Sequence, residues 1–211
     1  TFASDVNSTI KSLSSSGYRV YVMSMGDESW DLYWYANSFA LPESYKQMQQ
    51  INAPTFHCMR NHDNDPYCAD DWLAEQAWLK NCGPCYYSFN IGKVHYIILD
   101  NIQYLNVGGT TGTVGERNYN TLIINEESAW LQKDLALISD KSTPIVVGMH
   151  APLYDNPTTL SSTGVQTDNS RMSGAADFIH YFSGFSNVQV LTGHTHLNYN
   201  VIVSNNMMEH N

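Results

Sequence analysis

NCGPCYYSFNIGKVHYIILD, residues 81–100, supports two incompatible readings of the fold. Taken alone, Cys82-Gly83-Pro84-Cys85 is the redox signature of thioredoxins. In that fold the cysteine pair follows a strand and opens a helix, whose N-terminus lowers the pKa of the first thiol. Here the order is reversed. A helical pattern, ADDWLAEQAWLKN (69–81), precedes Cys82, and a β-rich run, YYSFN, follows Cys85. Neither thiol is offered a helix N-terminus, so the Gly-Pro pair reads as a turn that closes a helix and starts a strand. YYSFNIG then runs at once into VHYIILD, which predicts an antiparallel hairpin.

Outward from this hairpin the chain alternates strand and helix. Near-continuous apolar runs lie at 18–25 (YRVYVMSM), 54–59 (PTFHCM), 94–100, 144–150 (PIVVGMH) and 188–194 (VQVLTGH), as expected of a sheet covered on both faces. Helical patterns lie at 3–16, 31–50, 70–81, 125–139 and 172–182; EESAWLQKDLALI (126–138) spaces its apolar residues three and four apart behind an acidic first turn. The layout is α/β, and the hairpin makes the sheets mixed. Residues 103–121 and 153–170, rich in Gly, Thr, Asn and Ser, read as irregular loops. Met207, Met208, Glu209 and His210 read as a strand edging the carboxyl ends of the others, with no assigned role.

With 211 residues the chain suits one domain, 1–211. Its 43% hydrophobic content includes no apolar run of the roughly 20 residues needed to cross a bilayer. A formal charge of −10 with only 10 Lys+Arg offers no basic stripe for duplex nucleic acid. The opening TFASDVNSTIKSL has neither initiator Met nor signal-peptide pattern, so the expectation is a piece of a longer polypeptide with flanking domains. Four cysteines are too few to build the fold, but Cys58 with Cys68 and Cys82 with Cys85 can pair in an exported or periplasmic protein.

Four of the strands run straight into polar residues. VMSM leads to Gly26-Asp27, FHCM to Arg60-Asn61-His62-Asp63, VVGM to His150, and VQVLTG to His194-Thr195-His196. In open α/β sheets the carboxyl ends of strands form the ligand crevice, so these distant segments are expected to meet in one site. Carboxylate, carboxamide and imidazole together form a mixed O/N donor set suited to Mn, Fe, Zn or Mg, and two such ions suit phosphoryl transfer.

At this point the sequence resembles the calcineurin-like metallophosphoesterases. MGDESWD resembles their Gly-Asp motif, RNHD their Gly-Asn-His-Asp/Glu motif, GMH their lone-His strand and GHTH their closing Gly-His-x-His, in the same order from Ser24 to His196. The run around the CGPC pair also looks like a stretch of bacterial members in which the cysteine positions are turn residues. The resemblance implies a layered α/β/β/α sandwich with mixed sheets and two divalent metal ions. It implies that Asp27 bridges the ions, that Asn61, His150 and His194 hold the second, and that His196 serves the first. His62 would face the substrate and protonate the leaving oxygen, with Asp31 as its candidate carboxylate partner. Arg60 stands where the family has Gly and would add a cation for the substrate phosphate. The family's Asp-x-His motif, which supplies two first-metal ligands, would precede Thr1, so the first-metal ligand set is incomplete in this chain. Purple acid phosphatases place a Tyr ligand three residues after the bridging Asp; here that position is Trp30.

The expectation is a metal-dependent hydrolase of a small-molecule or lipid phosphate ester, monoester or diester, acting through metal-activated water. The alternatives are a degenerate domain that binds a phosphorylated or carbohydrate ligand without turnover, and a thiol oxidoreductase. His57, His95, His180 and His210 read as packing or surface residues. Asp63, Asn64 and Asp65 read as a turn, with a substrate contact open to Asp63, and Trp30, Trp34 and Tyr35 as a helix face.

Overall fold

The computed structural model describes residues 2–29, 40–65, 68, 70–105, 118–154, 159–161, 164–166 and 171–211. Helix α1 (Phe2–Ser15) buries Ala3 and Ile10, two turns apart on one face. Strand β1 (Val22–Ser24), helix α2 (Ala40–Met48) and strand β2 (Thr55–His57) follow, and a single 3-10 turn occupies Asn61–Asp63. Asp70 caps the next helix, its side chain accepting the backbone N–H of Leu73. The pattern predicted at 70–81 forms two short helices, α3 (Asp71–Ala74) and α4 (Gln76–Asn81), broken at Glu75. Of the helix expected at 31–50, residues 31–39 lie outside the described residues, as do Asp31, Trp30, Trp34 and Tyr35.

The hairpin forms as expected: β3 (Tyr87–Ile91) pairs antiparallel with β4 (Val94–Ile98). The segment predicted as an irregular loop at 103–121 is a correction. Its ends form β5 (Ile102–Leu105) and β6 (Asn118–Thr121), an antiparallel pair. In β5, Ile102 and Tyr104 are buried while Gln103 and Leu105 are half-buried, a period-two pattern too short to stand out beside its Gly-rich continuation. Helix α5 (Asn125–Leu137) then puts Glu127, Leu131 and Leu135 on one buried stripe. Strand β7 (Ile145–Gly148) is followed, in the second segment read as loop, by another correction: β8 (Thr159–Ser161) and β9 (Gly164–Gln166) pair as a small hairpin. Helix α6 (Ala175–Tyr181) and strands β10 (Val188–Leu191), β11 (Asn200–Ser204) and β12 (Met207–His210) complete the chain, the last being the strand expected at 207–210.

The larger sheet has the order β11-β12-β10-β7-β4-β3, with β12, β10, β7 and β4 parallel and the two edges antiparallel. Its Ile145, Val147, Val188 and Val190 are fully buried against Leu131 and Leu135 of α5 and Phe178 and Phe182 of α6. The parallel pair β1-β2 packs on the other face. A Cβ on Gly148 would stand 2.8 Å from Met23 Sδ and 3.0 Å from a methyl of Met25, so the bare glycine of β7 makes room for Met23 of β1 and for Met25 just after it. Phe56 of β2 stacks on Phe89 at 3.9 Å, and Phe89 on Tyr96 at 5.2 Å. The result is a layered α/β/β/α sandwich with mixed sheets. Cys58, Cys82 and Cys85 are free thiols.

Candidate metal centre

The carboxyl ends of β1, β2, β7 and β10 lead into the four polar segments. Three of their donor atoms meet. Asn61 Oδ1 lies 2.6 Å from His150 Nε2, and His194 Nδ1 lies 2.9 Å from the same nitrogen. His150 is fully buried, and burial, followed by the Arg60 charge and the neighbouring histidines, lowers its pKa well below the usual imidazole range. A neutral ring has one N–H. If it is on Nε2 it must serve both contacts, and if it is not, Nε2 faces the Asn61 carbonyl lone pair to lone pair. A divalent cation drawing on all three lone pairs removes that conflict, and neutral imidazole is the form a metal needs. The donor set therefore fits a hard or borderline divalent ion.

Asp27 follows Gly26 in a tight left-handed bend, with φ of 79° at Gly26 and 47° at Asp27. The other non-glycine residues with positive φ among those described are His194 at 71° and His196 at 56°. All three are residues that the sequence singled out for metal, and strained backbone of this kind persists where the surroundings over-determine it. Asp27 Oδ1 is buried with no hydrogen-bond partner, an acceptor oxygen with spare capacity for a cation. Its Oδ2 lies 3.6 Å from Arg60 Nη1. The Arg60 guanidinium also runs past Gly193, where a Cβ would stand 3.3 Å from Nη1, and past Gly26, where a Cβ would stand 2.3 Å from Arg60 Cγ. Arg60 thus spans from the Gly-Asp bend to the Gly-His-Thr-His turn, and both glycines are bare because its side chain passes there.

His62 sits in the 3-10 turn, 8% exposed, and its charge acts on His150. Ser29 Oγ donates to the His62 carbonyl, and the Ser29 N–H and hydroxyl both reach Asp63 Oδ1, at 2.9 and 3.1 Å. Asp63 therefore ties the Asp27 loop to the His62 turn from below, and burial pushes its carboxyl up to about 8. His196 is exposed and close enough for its charge to act on His150. Asp31 lies outside the described residues.

Three supports escaped sequence reading. Asn101 Oδ1 accepts the N–H groups of His150 and Ala151, at 3.1 and 2.9 Å, while its Nδ2 donates to the Ala151 carbonyl. Glu209, fully buried, accepts the N–H groups of Leu153 and Tyr154 through Oε2 and the Thr192 hydroxyl through Oε1. Asn211 Nδ2 donates to the Gly193 carbonyl and Thr192 Oγ1, and its Oδ1 accepts from Thr195 Oγ1. The available signal was polar residues at strand ends: Asn101 directly follows IILD, and Glu209 interrupts an apolar strand. His57, read as packing or surface, pairs with a buried Glu28 beside Asp27. At the CGPC stretch, Cys82 caps the end of α4 with its N–H on the Trp78 carbonyl, and β3 begins at Tyr87, as the turn reading requires. Burial pushes both thiols well above their ordinary pKa, the reverse of a redox-active pair.

No protein-family model matches the sequence, and no curated protein matches it. Among solved structures, a dimetal phosphatase from Danio rerio is similar with a TM-score of 0.68 at 11% identity, over 99% of this chain and 76% of that one. A purple acid phosphatase from yellow lupin (Lupinus luteus) seeds is similar with a TM-score of 0.53 at 16% identity, over 97% of this chain and 38% of the other. At such identities the likeness is one of fold.

Proposed function

We propose that this chain is a metal-dependent phosphoesterase domain of the calcineurin-like type whose site lies at the carboxyl ends of β1, β2, β7 and β10. The observation that carries the reading is the convergence of Asn61 Oδ1, His150 Nε2 and His194 Nδ1 within 2.9 Å contacts, from three segments far apart in sequence. Asn61, His150, His194 and Asp27 would hold one divalent ion, and His196 would contribute to a second. When bound, such ions supply an activated water and a clamp on the phosphate oxygens. Arg60 adds a fixed positive charge where an anionic ester would sit, in a chain whose formal charge is −10. His62 gives a proton to the departing oxygen. Asn101, Glu209 and Asn211 keep the histidine-bearing turns in place. The ester is a small-molecule or lipid phosphate.

The test is a panel of phosphate mono- and diesters turned over by the full-length protein with Mn, Zn or Mg, beside Asn61→Ala and His150→Ala. Removing an outer-shell partner of a metal ligand costs about 10–100-fold in affinity, so losing a ligand should exceed about 100-fold, with turnover lost in parallel. Full metal loading and turnover in both variants refute the site. Normal metal binding by the parent with no turnover of any ester identifies a binding domain instead.

A further inference from the structure

A second group of metal-ligating side chains lies away from the histidines. Glu75, at the break between α3 and α4, Cys85, just before β3, and Asp100, just after β4, each bring one ligand atom within 4.8 Å of the other two. Cys85 and Asp100 are buried, at 5% and 6% exposure. Asp100 Oδ1 accepts the Ile102 N–H, but its Oδ2 is buried with no hydrogen-bond partner. A carboxylate oxygen that is out of water and receives no donor normally has an explanation, and a cation is one.

The surrounding charges favour a cation strongly. Those acting most on Asp100 come from Glu75, Asp71 and Asp63, and those on Cys85 from Asp100, Glu75 and Glu127; all are acidic. Without a counter-charge the ionised forms are disfavoured: burial first, then Asp71, pushes Glu75 up to about 7, and burial raises Asp100 well beyond the carboxylate range. Glu127 is not among the three, because its Oε1 accepts the Asp100 N–H at 2.9 Å and so orients that residue. Glu75 also borders an open cleft of about 650 Å³ lined by Asp71, Trp72, Gln103 and Ile123, which gives an ion a way in and a water a fourth position.

We propose that Glu75, Cys85 and Asp100 form a zinc site separate from the candidate catalytic centre. One thiolate and two carboxylates are a borderline donor set for which zinc is suited, and magnesium and calcium are not. On binding, Cys85 gives up its thiol proton, and a protonated Glu75 or Asp100 gives up its own, so the ion replaces protons in the group. The site joins the α3–α4 break to the ends of the β3–β4 hairpin. It thereby anchors Asp100 next to Asn101, the residue that holds the His150 backbone. The CGPC stretch acquires a role through its second cysteine alone.

Cobalt distinguishes this site from the other, because a thiolate ligand gives Co²⁺ an intense near-ultraviolet charge-transfer band and the candidate catalytic set contains no thiol. The experiment titrates full-length protein carrying Asn61→Ala and His150→Ala, then the same protein with Cys85→Ser added. The expected result is a band that saturates at one equivalent of Co²⁺, is displaced by one equivalent of Zn²⁺ and is absent with Cys85→Ser. If the serine protein does not fold, Glu75→Gln should keep the band but weaken cobalt binding by about 10-fold or more. A band that survives Cys85→Ser, no band at saturating cobalt, or unchanged affinity in Glu75→Gln overturns the proposal. None of these outcomes depends on phosphoesterase turnover.

Discussion

Asn101 and His150 are joined through the backbone: Asn101 Oδ1 accepts the His150 N–H at 3.1 Å and the next N–H, of Ala151, at 2.9 Å. One carboxamide thus fixes the peptide that aims a fully buried imidazole at Asn61. Asn101→Ala leaves two buried donors unpaired, each costing about 1–3 kcal/mol. The expected outcome is a lower denaturant midpoint together with weaker metal binding. Asn101→Asp keeps the acceptor and should lose less of both. Equal losses in the two variants would show that the amide donor to the Ala151 carbonyl matters more than the acceptor.

Arg60 lies 8% exposed with Nη1 3.6 Å from the Asp27 carboxylate. If its main work is to receive the substrate phosphate, Arg60→Ala should raise KM about 10–100-fold, equivalent to the roughly 1.5–3 kcal/mol of a hydrogen bond to a charged group, with kcat changed less. Metal titration of the same variant separates a second role. Unchanged KM with altered metal affinity would assign Arg60 to holding Asp27.

The sequence made the layers readable because their strands, even the three-residue β1 and β2, lie inside longer apolar runs, and the hairpin at 86–100 has no competing pattern. The meeting of Asn61, His150 and His194 was expected for a related reason, since each lies at the end of such a run or within two residues of it. Arg60 was legible as a cation, but its path past Gly26 and Gly193 was not, because close approach between segments leaves no mark on either one alone. The β5-β6 and β8-β9 pairs were hidden by strands of three or four residues flanked by Gly and Thr. Glu75, Cys85 and Asp100 fall on three different elements with no spacing motif, so only folding brings them together.

Glu127 offers a test of the buried acidic group through pH. Burial first, then Asp100, raises its carboxyl well above the ordinary range, so the folded protein keeps a proton that the unfolded chain releases. The sign follows: stability from this group is complete below the ordinary carboxylate range and is lost as pH rises toward the folded-state value. Glu127→Gln preserves an acceptor for the Asp100 N–H and removes the titration. In chelator-treated protein the variant should therefore melt higher than the parent, by a margin that widens as pH rises above the ordinary carboxylate range. A margin that narrows over that range would mean the carboxylate is charged and stabilised in the folded state.

His62 gives the most discriminating test of mechanism. It follows Asn61 directly in the 3-10 turn, its carbonyl is held by Ser29, and its charge reaches His150, so it lies beside the candidate site while Asn61 supplies the donor atom facing His150. If His62 protonates the departing oxygen, His62→Asn should cost on the order of 10²–10⁴ in turnover of an alkyl phosphate, the range of a positioned general acid. The cost should shrink for a p-nitrophenyl ester, whose leaving group is stable as an anion near neutral pH, whereas an alkoxide needs the proton. Metal content should stay normal, because Asn61, His150 and His194 remain. Michaelis analysis of both ester types, with metal measured alongside, decides between roles. An equal loss for the two esters would make His62 an electrostatic stabiliser of the transferring phosphoryl group, and no loss for either would remove it from the mechanism.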